Sequence, residues 1–526
     1  MNLMSSLNIT AGALSVNEKA ISVVSHNVSN MNTEGYHKQR VNLEARNIAG
    51  QIGDNTAAQV RANGGVKIAN VMRYNDDYLN NYYRDQLSKK NMLEQQLGNL
   101  DELAGIFDDL EGTGIDSALS DFYEALNNLN EYPASSSARA NFIERAKTLT
   151  AIMNSKSEQL NNLTGEALGD GTSVDSLEHS RIYAQHKSLN TSLEELAAVN
   201  KALQTTQTGT LTANNLLDKR DLILHDISQY VDITVDEKQN GSVNVYTGNV
   251  ALVKGATVTG SLGVMTKAEF MQRYPSEPEP TEAAVVNIID EGGNIIVKNA
   301  NDQITGGALG GLIHSGTDIA DDGTVNPVSV QNSLNKLANA IAEMFNDMNT
   351  DSKAFRIDPD NTNHLKETDA DNKIFVGGAS GTETVTAANI RLADNMLTAD
   401  GIWNISAAYF EDMSDFDINA VGNSNNVKNM IATRNEKQPE LNGMSVEDYY
   451  SSMVGKIAAA GDSTKTLYET QSDVVDSLEN QLDSAYGVDL NEELIDLVKY
   501  QTAYAAAAQV FNVVNSCLDT LMTLGR

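Results

Sequence analysis

Cysteine is almost absent from these 526 residues, and Cys517 stands alone. One thiol cannot close an internal disulfide, so the fold is not a disulfide scaffold. Cys517 lies on an apolar lane near the end of the chain and reads as a buried small hydrophobe rather than a reactive thiol. Proline is scarce too, with seven, at positions 133, 275, 278, 280, 327, 359 and 439. None falls in 1–132 or after 439, so long helices are free to run at both ends. Positive charge is in short supply: 37 Lys and Arg face 71 Asp and Glu, for a formal charge of −34. That argues against nucleic acid as a partner, which needs a basic footprint. It fits a chain that must avoid non-specific association at high concentration. No apolar run approaches the roughly 20 residues needed to span a bilayer, so no membrane insertion is expected. The first residues carry no positive charge before Lys19 and no continuous apolar core, so they do not read as a secretory signal peptide.

What the chain does have is helical periodicity at both ends. Leu490, Leu494, Leu497, Gln501, Tyr504, Ala508, Phe511, Asn515, Leu518 and Met522 alternate steps of four and three. That is a coiled-coil seam with two polar interruptions. A second lane, Tyr500, Ala503, Ala507, Val510, Val514, Cys517, Leu521 and Leu524, runs beside it. Two adjacent lanes suggest neighbours on more than one side. At the other end Leu7, Leu14, Ile21 and Val28 fall every seventh residue, with Ile9, Val16 and Val23 alongside. Thr10 and Asn17 interrupt that face, as polar register-setting groups do. Periodicity alone does not separate self-assembly from the completion of one globular core.

Between the ends the order is helices, a β-rich insertion, then helices. The spacing predicts a long helix between Arg73 and Leu110 and a shorter one through Leu119, Phe122, Leu126 and Leu129 that stops at Tyr132-Pro133. A helix capped by Ser135 to Ser137 then runs to about Leu163. Another starts near Leu189 and runs to about Tyr230, with a possible break at Gly209. The period then changes to two. Val231, Ile233 and Val235 face Val243 and Val245 across the Asn240-Gly241 turn signal. Strands are expected at Val250–Val253, Val285–Ile289 and Ile295–Val297, and an exposed loop at Ser276 to Thr281. Helix returns over Val328–Met348, followed by a polar Asp/Asn-rich loop to about Asn372 and short strands up to about Ile402. A long helix resumes from Val446 to Tyr486. The fold class is α+β: a long helical bundle from paired N- and C-terminal segments, forming a coiled-coil terminal domain, with a β-rich insertion in the middle. The expected division is a terminal helical domain at 1–60 and 490–526, a helical bundle at 61–230, 305–350 and 405–489, and a β-rich outer domain at 231–304 and 351–404. No repeat of solenoid length is visible.

Catalytic chemistry is not legible. His26, His37, His179, His186, His225, His314 and His364 are scattered and make no metal spacing. There is no nucleophile elbow and no P-loop. Gly306 to Gly311 is glycine-rich without a surrounding strand-turn-helix, and close backbone packing explains it better. Asp358, Asp360, Thr362 and Asp369 echo a calcium loop, but Asn363 stands where glycine is needed and Asp369 where glutamate belongs. Trp403, the single tryptophan, offers no stacking platform. No cofactor, no metal and no enzymatic activity are expected.

Asn27-Val28-Ser29-Asn30-Met31-Asn32-Thr33-Glu34-Gly35-Tyr36 resembles the N-terminal signature of bacterial flagellar rod, hook and hook-associated proteins, roughly N-I-A-N-x-N-T-x-G-Y. Leu490 to Leu524, with Tyr500-Gln501-x-x-Tyr504, resembles their shared C-terminal helix. Asn215-Leu216-Leu217-Asp218-Lys219-Arg220-Asp221, then Ile227 to Val235 and Asn240 to Val245, look like the hook-associated family that joins hook to filament. Leu119 to Pro133 and Gly306 to Leu312 do so as well, whereas rod and hook proteins lack these internal segments. The resemblance covers the chain in order and is weakest at about 255–300 and 350–420.

The resemblance implies a structural subunit at the hook–filament junction, in the extracellular flagellum. It implies export unfolded through the flagellar type III apparatus and helical self-assembly of the terminal helices. Partners would be copies of itself in a ring or short helical layer, hook protein below, and the next hook-associated protein above. A cytoplasmic export chaperone would bind the C-terminal helix. The residues this assigns are the signature Asn27, Asn30, Asn32, Thr33, Gly35 and Tyr36, and the N-terminal seam Leu7, Leu14, Ile21 and Val28. The C-terminal seam for assembly and chaperone is Leu494, Leu497, Tyr504, Val510, Phe511, Leu518 and Leu521. A hook or rod subunit, an enzyme with a catalytic insertion in 255–420 and an added adhesive role for the β region are the other readings.

Overall fold

The structure, a computed structural model, describes residues 3–47, 63–108, 112–317 and 324–524. The chain opens with helix α1 (Leu3–Ser29), followed by strands β1 (Gln39–Asn47) and β2 (Asn63–Arg73), which pair antiparallel. This hairpin was not anticipated. It spans the expected boundary at residues 60 and 61, which itself lies outside the described residues.

The body then begins with α2 (Asp77–Phe107), α3 (Ile115–Glu131) and α4 (Ser136–Leu168). Asp76 caps α2 by accepting from the backbone of Tyr78 and Leu79, and Ser135 caps α4 by accepting from Ala138. After α5 (Val174–Glu178) come α6 (Arg181–Thr205) and α7 (Leu211–Tyr230), with the expected break between them. The break needs glycine: Gly209 has φ +72°, and a Cβ there would meet Asn70 Cβ at 2.7 Å.

Strands β3 (Thr234–Glu237), β4 (Val243–Thr247), β5 (Val250–Lys254) and β6 (Thr257–Val258) form an antiparallel sheet in sequence order, with Asn240-Gly241 at the first turn. A second sheet follows from β7 (Ser261–Thr266), β8 (Ala284–Ile289) and β9 (Ile295–Val297), with α8 (Lys267–Arg273) in the connection. The alternating apolar residues Val243, Val245, Leu262, Val286 and Ile288 are buried. All but Ile288 pack with α6, α7 and α9 (Gly307–Gly316) in one cluster around Leu193, Leu196, Ile227 and Leu309. Close packing is what the glycine-rich run provides. A Cβ on Gly311 would sit 2.6 Å from the Met92 carbonyl of α2, and one on Gly307 would strike Tyr230.

Helix α10 (Pro327–Thr350) starts with proline in its first turn and a reciprocal Asn326–Ser329 cap. The polar stretch after it, expected as a loop, is a hairpin of β10 (Ala354–Asp358) and β11 (Asn361–Glu367). Its inner strand is buried from Ala354 to Ile357 whereas its outer strand is mostly polar and exposed, so the alternation that marks a strand is missing. Short strands β12 (Phe375–Gly377), β13 (Ile390–Leu392) and β14 (Ala408–Tyr409) precede α11 (Asn425–Ala432), α12 (Val446–Tyr486) and α13 (Leu490–Leu524). The largest core joins α3, α4, α10, α11 and the first part of α12. Phe122 sits at its centre, with ring centroids 5.0 Å from Phe345 and 5.3 Å from Phe142. The two segments expected in one outer domain, 231–304 and 351–404, contribute to different apolar clusters.

Candidate assembly surface and its joint

Helices α1 and α13 pack along each other. On α13 the covered lane runs through Leu497, Tyr500, Ala507, Phe511, Val514 and Leu518, all half-buried. It takes members from both expected lanes in turn. The other face is bare: Leu494 is 46% exposed, Ile495 68%, Val498 61%, Tyr504 40%, Val510 51%, Val513 64%, Leu521 54% and Met522 73%. Cys517 is exposed, which corrects the expectation of a buried thiol. Val514 and Leu518 face α1, and the turn of the helix carries Cys517 outward.

On α1 the expected seam Leu7, Leu14, Ile21 and Val28 is half-buried. Val16, Ala20, Val23 and Val24 are the deeply buried positions. Ala20 and Val23 close on Val41 and Val71 of the hairpin, with Tyr500 of α13 against them. The hairpin therefore competes with α13 for the apolar surface of α1.

The signature forms a turn closed by side chains. Asn27 is buried; its amide donates to the Gln39 carbonyl at 2.9 Å, and its Oδ1 accepts from Gln39 N at 3.1 Å and Tyr36 OH at 2.7 Å. Tyr36 also lies 2.9 Å from His26 Nδ1. Asn30 donates to the His26 carbonyl at 2.8 Å, and Thr33 donates weakly to Asn30 Oδ1 at 3.3 Å. Gly35 takes φ +71° and rests beside Leu222 of α7. Asn32 and Thr33 are exposed at the tip. Lys38 then pairs with Glu492 at the start of α13, and its backbone N–H donates to the Tyr486 carbonyl at 2.8 Å.

Beneath this turn lies a buried ionic joint that sequence reasoning did not assemble. Arg73 donates to Asp218 Oδ1 at 2.7 Å and to Asp221 Oδ2 at 2.6 Å. His37 Nδ1 is 3.1 Å from Asp218, and its ring stacks on Tyr486 with centroids 4.5 Å apart. Arg220 holds Asp221 Oδ1 at 2.7 Å and Glu237 at 3.0 Å. Burial alone would raise the Asp221 carboxyl, but Arg220, Arg73 and Arg84 hold it well below the usual carboxylate range. Burial, and next to it the Arg84 guanidinium, lowers the His225 imidazole to about 4. Burial pushes the Tyr486 hydroxyl up to about 12. The joint gathers α2, α7, β2, the signature and the end of α12. Its only sequence signal was the charged run Asp218 to Asp221, read for its resemblance and not as a contact.

Comparison with known proteins follows the same division. Residues 7–37 match the family described as flagella basal body rod protein, and residues 479–524 match flagellar basal body rod FlgEFG protein C-terminal. Residues 100–354 match the family described as flagellar hook-associated protein FlgK helical domain. The flagellar hook-associated protein 1 of Bacillus subtilis is 26% identical over 530 residues, covering 97% of this chain and 96% of that protein. Along its whole length the chain is similar to flagellar hook-associated protein 1. The family member of Escherichia coli is 24% identical over 592 residues, covering 99% of this chain and all of that protein. The fold is that of the flagellar hook junction protein FlgK from Burkholderia pseudomallei, with a TM-score of 0.59 over 77% of this chain at 13% identity. This hook-associated chain is thus a flagellar structural component. Among its described residues no helix is long and apolar enough to cross a membrane, and no group of His, Cys, Asp or Glu could hold a metal ion.

Proposed function

We propose that this chain is the subunit that joins hook to filament, held there by helical self-assembly of α1 and α13. The observation that carries this reading is the bare apolar face of α13, from Leu494 to Met522, left over after α1 has covered the opposite lane. Large apolar side chains exposed in such number on one helix mark an interaction site. A contact between unlike surfaces that does not close on itself builds a helical lattice, which suits copies stacked on a hook tip. Burying about 1,000 Å² of it would contribute roughly 25 kcal/mol gross, much of it offset by the entropy of ordering the helices. Assembly is then favourable but depends on a template. Hook protein would lie below and the next hook-associated protein above.

The same face is a hazard before export. A cytoplasmic chaperone that receives α13 in a groove would cover it through Leu494, Tyr504 and Val510, and through Leu497 and Leu518 would take the lane that α1 covers in the fold. The subunit would then pass unfolded through the flagellar type III channel to its extracellular site. The hook-associated match at 100–354 favours the junction over a rod or hook subunit, because the rod-family matches are confined to the ends.

Deleting the gene tests the reading, with electron microscopy of the cells and an assay of flagellin in the medium. Bare hooks and flagellin lost to the medium are the expected result. Absent hooks would move the chain to rod or hook, and normal flagella would overturn the reading.

A further inference from the structure

The geometry points to α7 as a latch that sets the terminal helix pair against the body, gripping it through Gln39. This rests on the reading of α1 and α13 as the assembly module. The contacts cross the boundary between the rod-like N-terminal match at 7–37 and the hook-associated helical domain at 100–354. Gln39 is 2% exposed and is held on two sides. Its backbone is bonded to Asn27 of the signature, at 2.9 and 3.1 Å. Its side chain is bonded to α7: Asn214 donates to its Oε1 at 2.9 Å, and its Nε2 donates to Asn215 Oδ1 at 3.2 Å.

Two further ties run beside it, in addition to the contacts of Arg73 and His37 with Asp218 and Asp221 in the joint. Asn214 donates to the Val71 carbonyl at 3.1 Å, and Val71 N–H donates to the Gly209 carbonyl at 2.8 Å. The apolar cluster nearby is small, with only Ala20, Val23, Val41 and Val71 fully buried. Apolar burial is non-directional and would hold the helices close without fixing their angle. Hydrogen bonds weaken steeply away from their preferred geometry, so an amide held by two amides fixes both position and angle. Residues of the hook-associated domain thereby give a rod-like terminal module its own setting on the body.

The latch is separable from folding because its key contacts are side-chain amides. Gln39→Ala removes the grip of α7 and leaves the Asn27 pairing, which uses only the Gln39 backbone. Asn215 is exposed, so Asn215→Ala removes its contact with Gln39 and a long 3.5 Å contact with His26 Nε2, and alters little packing. Each variant would replace the wild-type gene, with export of the subunit, thermal melting of the purified chain, and flagellin shed under shear as readouts. The expected result is normal export and melting with flagellin shed several-fold above wild type. Gln39→Met, which keeps the bulk without the amide, should behave like Gln39→Ala. Wild-type retention of filaments in Asn215→Ala and Gln39→Met would overturn the latch, as would full function in Gln39→Met alone. The gene deletion separates the two ideas: bare hooks in the deletion with normal filaments in the latch variants would reject the latch and keep the junction.

Discussion

Arg73 and Asp221 are 148 residues apart in sequence and 2.6 Å apart in the fold. Both side chains are only 4% exposed. A buried ion pair gains little over apolar packing, yet removing one partner leaves the other charge stranded. Asp221→Ala takes one carboxylate from each of Arg73 and Arg220, leaving them Asp218 and Glu237, and should destabilise the protein by about 1.5 to 3 kcal/mol. Denaturant unfolding of the purified chain measures this. A loss below about 1 kcal/mol would mean that water reaches the joint and solvates the freed guanidinium groups.

His225 makes the joint acid-sensitive. Its folded pKa is about 4 against an ordinary 6.5, so between those values the unfolded chain binds the extra proton. Stability from this group is present above pH 6.5 and is lost as pH falls toward 4, by about 3 kcal/mol in all. Asp221, whose folded pKa is lowered, acts in the same direction: its contribution stands above its unfolded value of 3.8 and fades as pH falls below it. His225→Gln should flatten the stability profile between pH 4 and 6.5. An unchanged slope in chemical denaturation across that window would show that His225 is protonated in the folded state.

Arg139 is fully buried and faces carbonyls rather than a carboxylate. It donates to Pro133 at 2.7 Å, Ile405 at 2.8 Å and Ile402 at 3.1 Å, and its guanidinium lies 5.6 Å from the Trp403 ring centroid. Arg139→Met leaves those carbonyls without a donor and should cost about 3 kcal/mol or more. Trp403 is the single tryptophan, so its emission reports the site directly. The variant should shift that emission to the red as water enters.

Cys517 offers a probe of assembly. It is exposed in the free subunit, so a maleimide should label it at the rate of a simple thiol. In assembled junctions the rate should fall sharply. Val510→Asp, on the exposed face, should leave the melting of the free chain unchanged while abolishing both assembly and chaperone capture. Equal labelling before and after assembly would place the lattice contact on another face of α13.

The long helices were legible because local signals agreed. Val446–Tyr486 was readable from its apolar face and is capped by Ser445 accepting from Asp448. The Asn240-Gly241 hairpin was legible for the same reason. The β1–β2 hairpin was not, because residues 48–62 separate its strands and no short turn signal joins them. Of the bare residues of α13, Leu494, Tyr504, Val510, Leu521 and Met522 lie on the two apolar lanes, whereas Ile495, Val498 and Val513 lie on neither. That α1 would cover members of both lanes was not legible, since both were equally apolar. The joint was illegible in a deeper sense. His37, Arg73, Arg84, Asp218 and Asp221 have no common spacing, and only the folding of α7 against β2 brings them together.

The chain leaves through the signature and returns through α12, so its two ends meet and everything between them is one long excursion. The loop Ser276 to Thr281 lies on that excursion, beyond α8, which packs on β7 and β8. Alignment with the Escherichia coli relative runs to 592 positions against 526 residues here, so gaps open between the two chains. A chain threaded this way is a natural display scaffold. Foreign sequence grafted at residues 276–279, just before the buried Pro280, would hang from that excursion and leave the packing of α1 on α13 untouched.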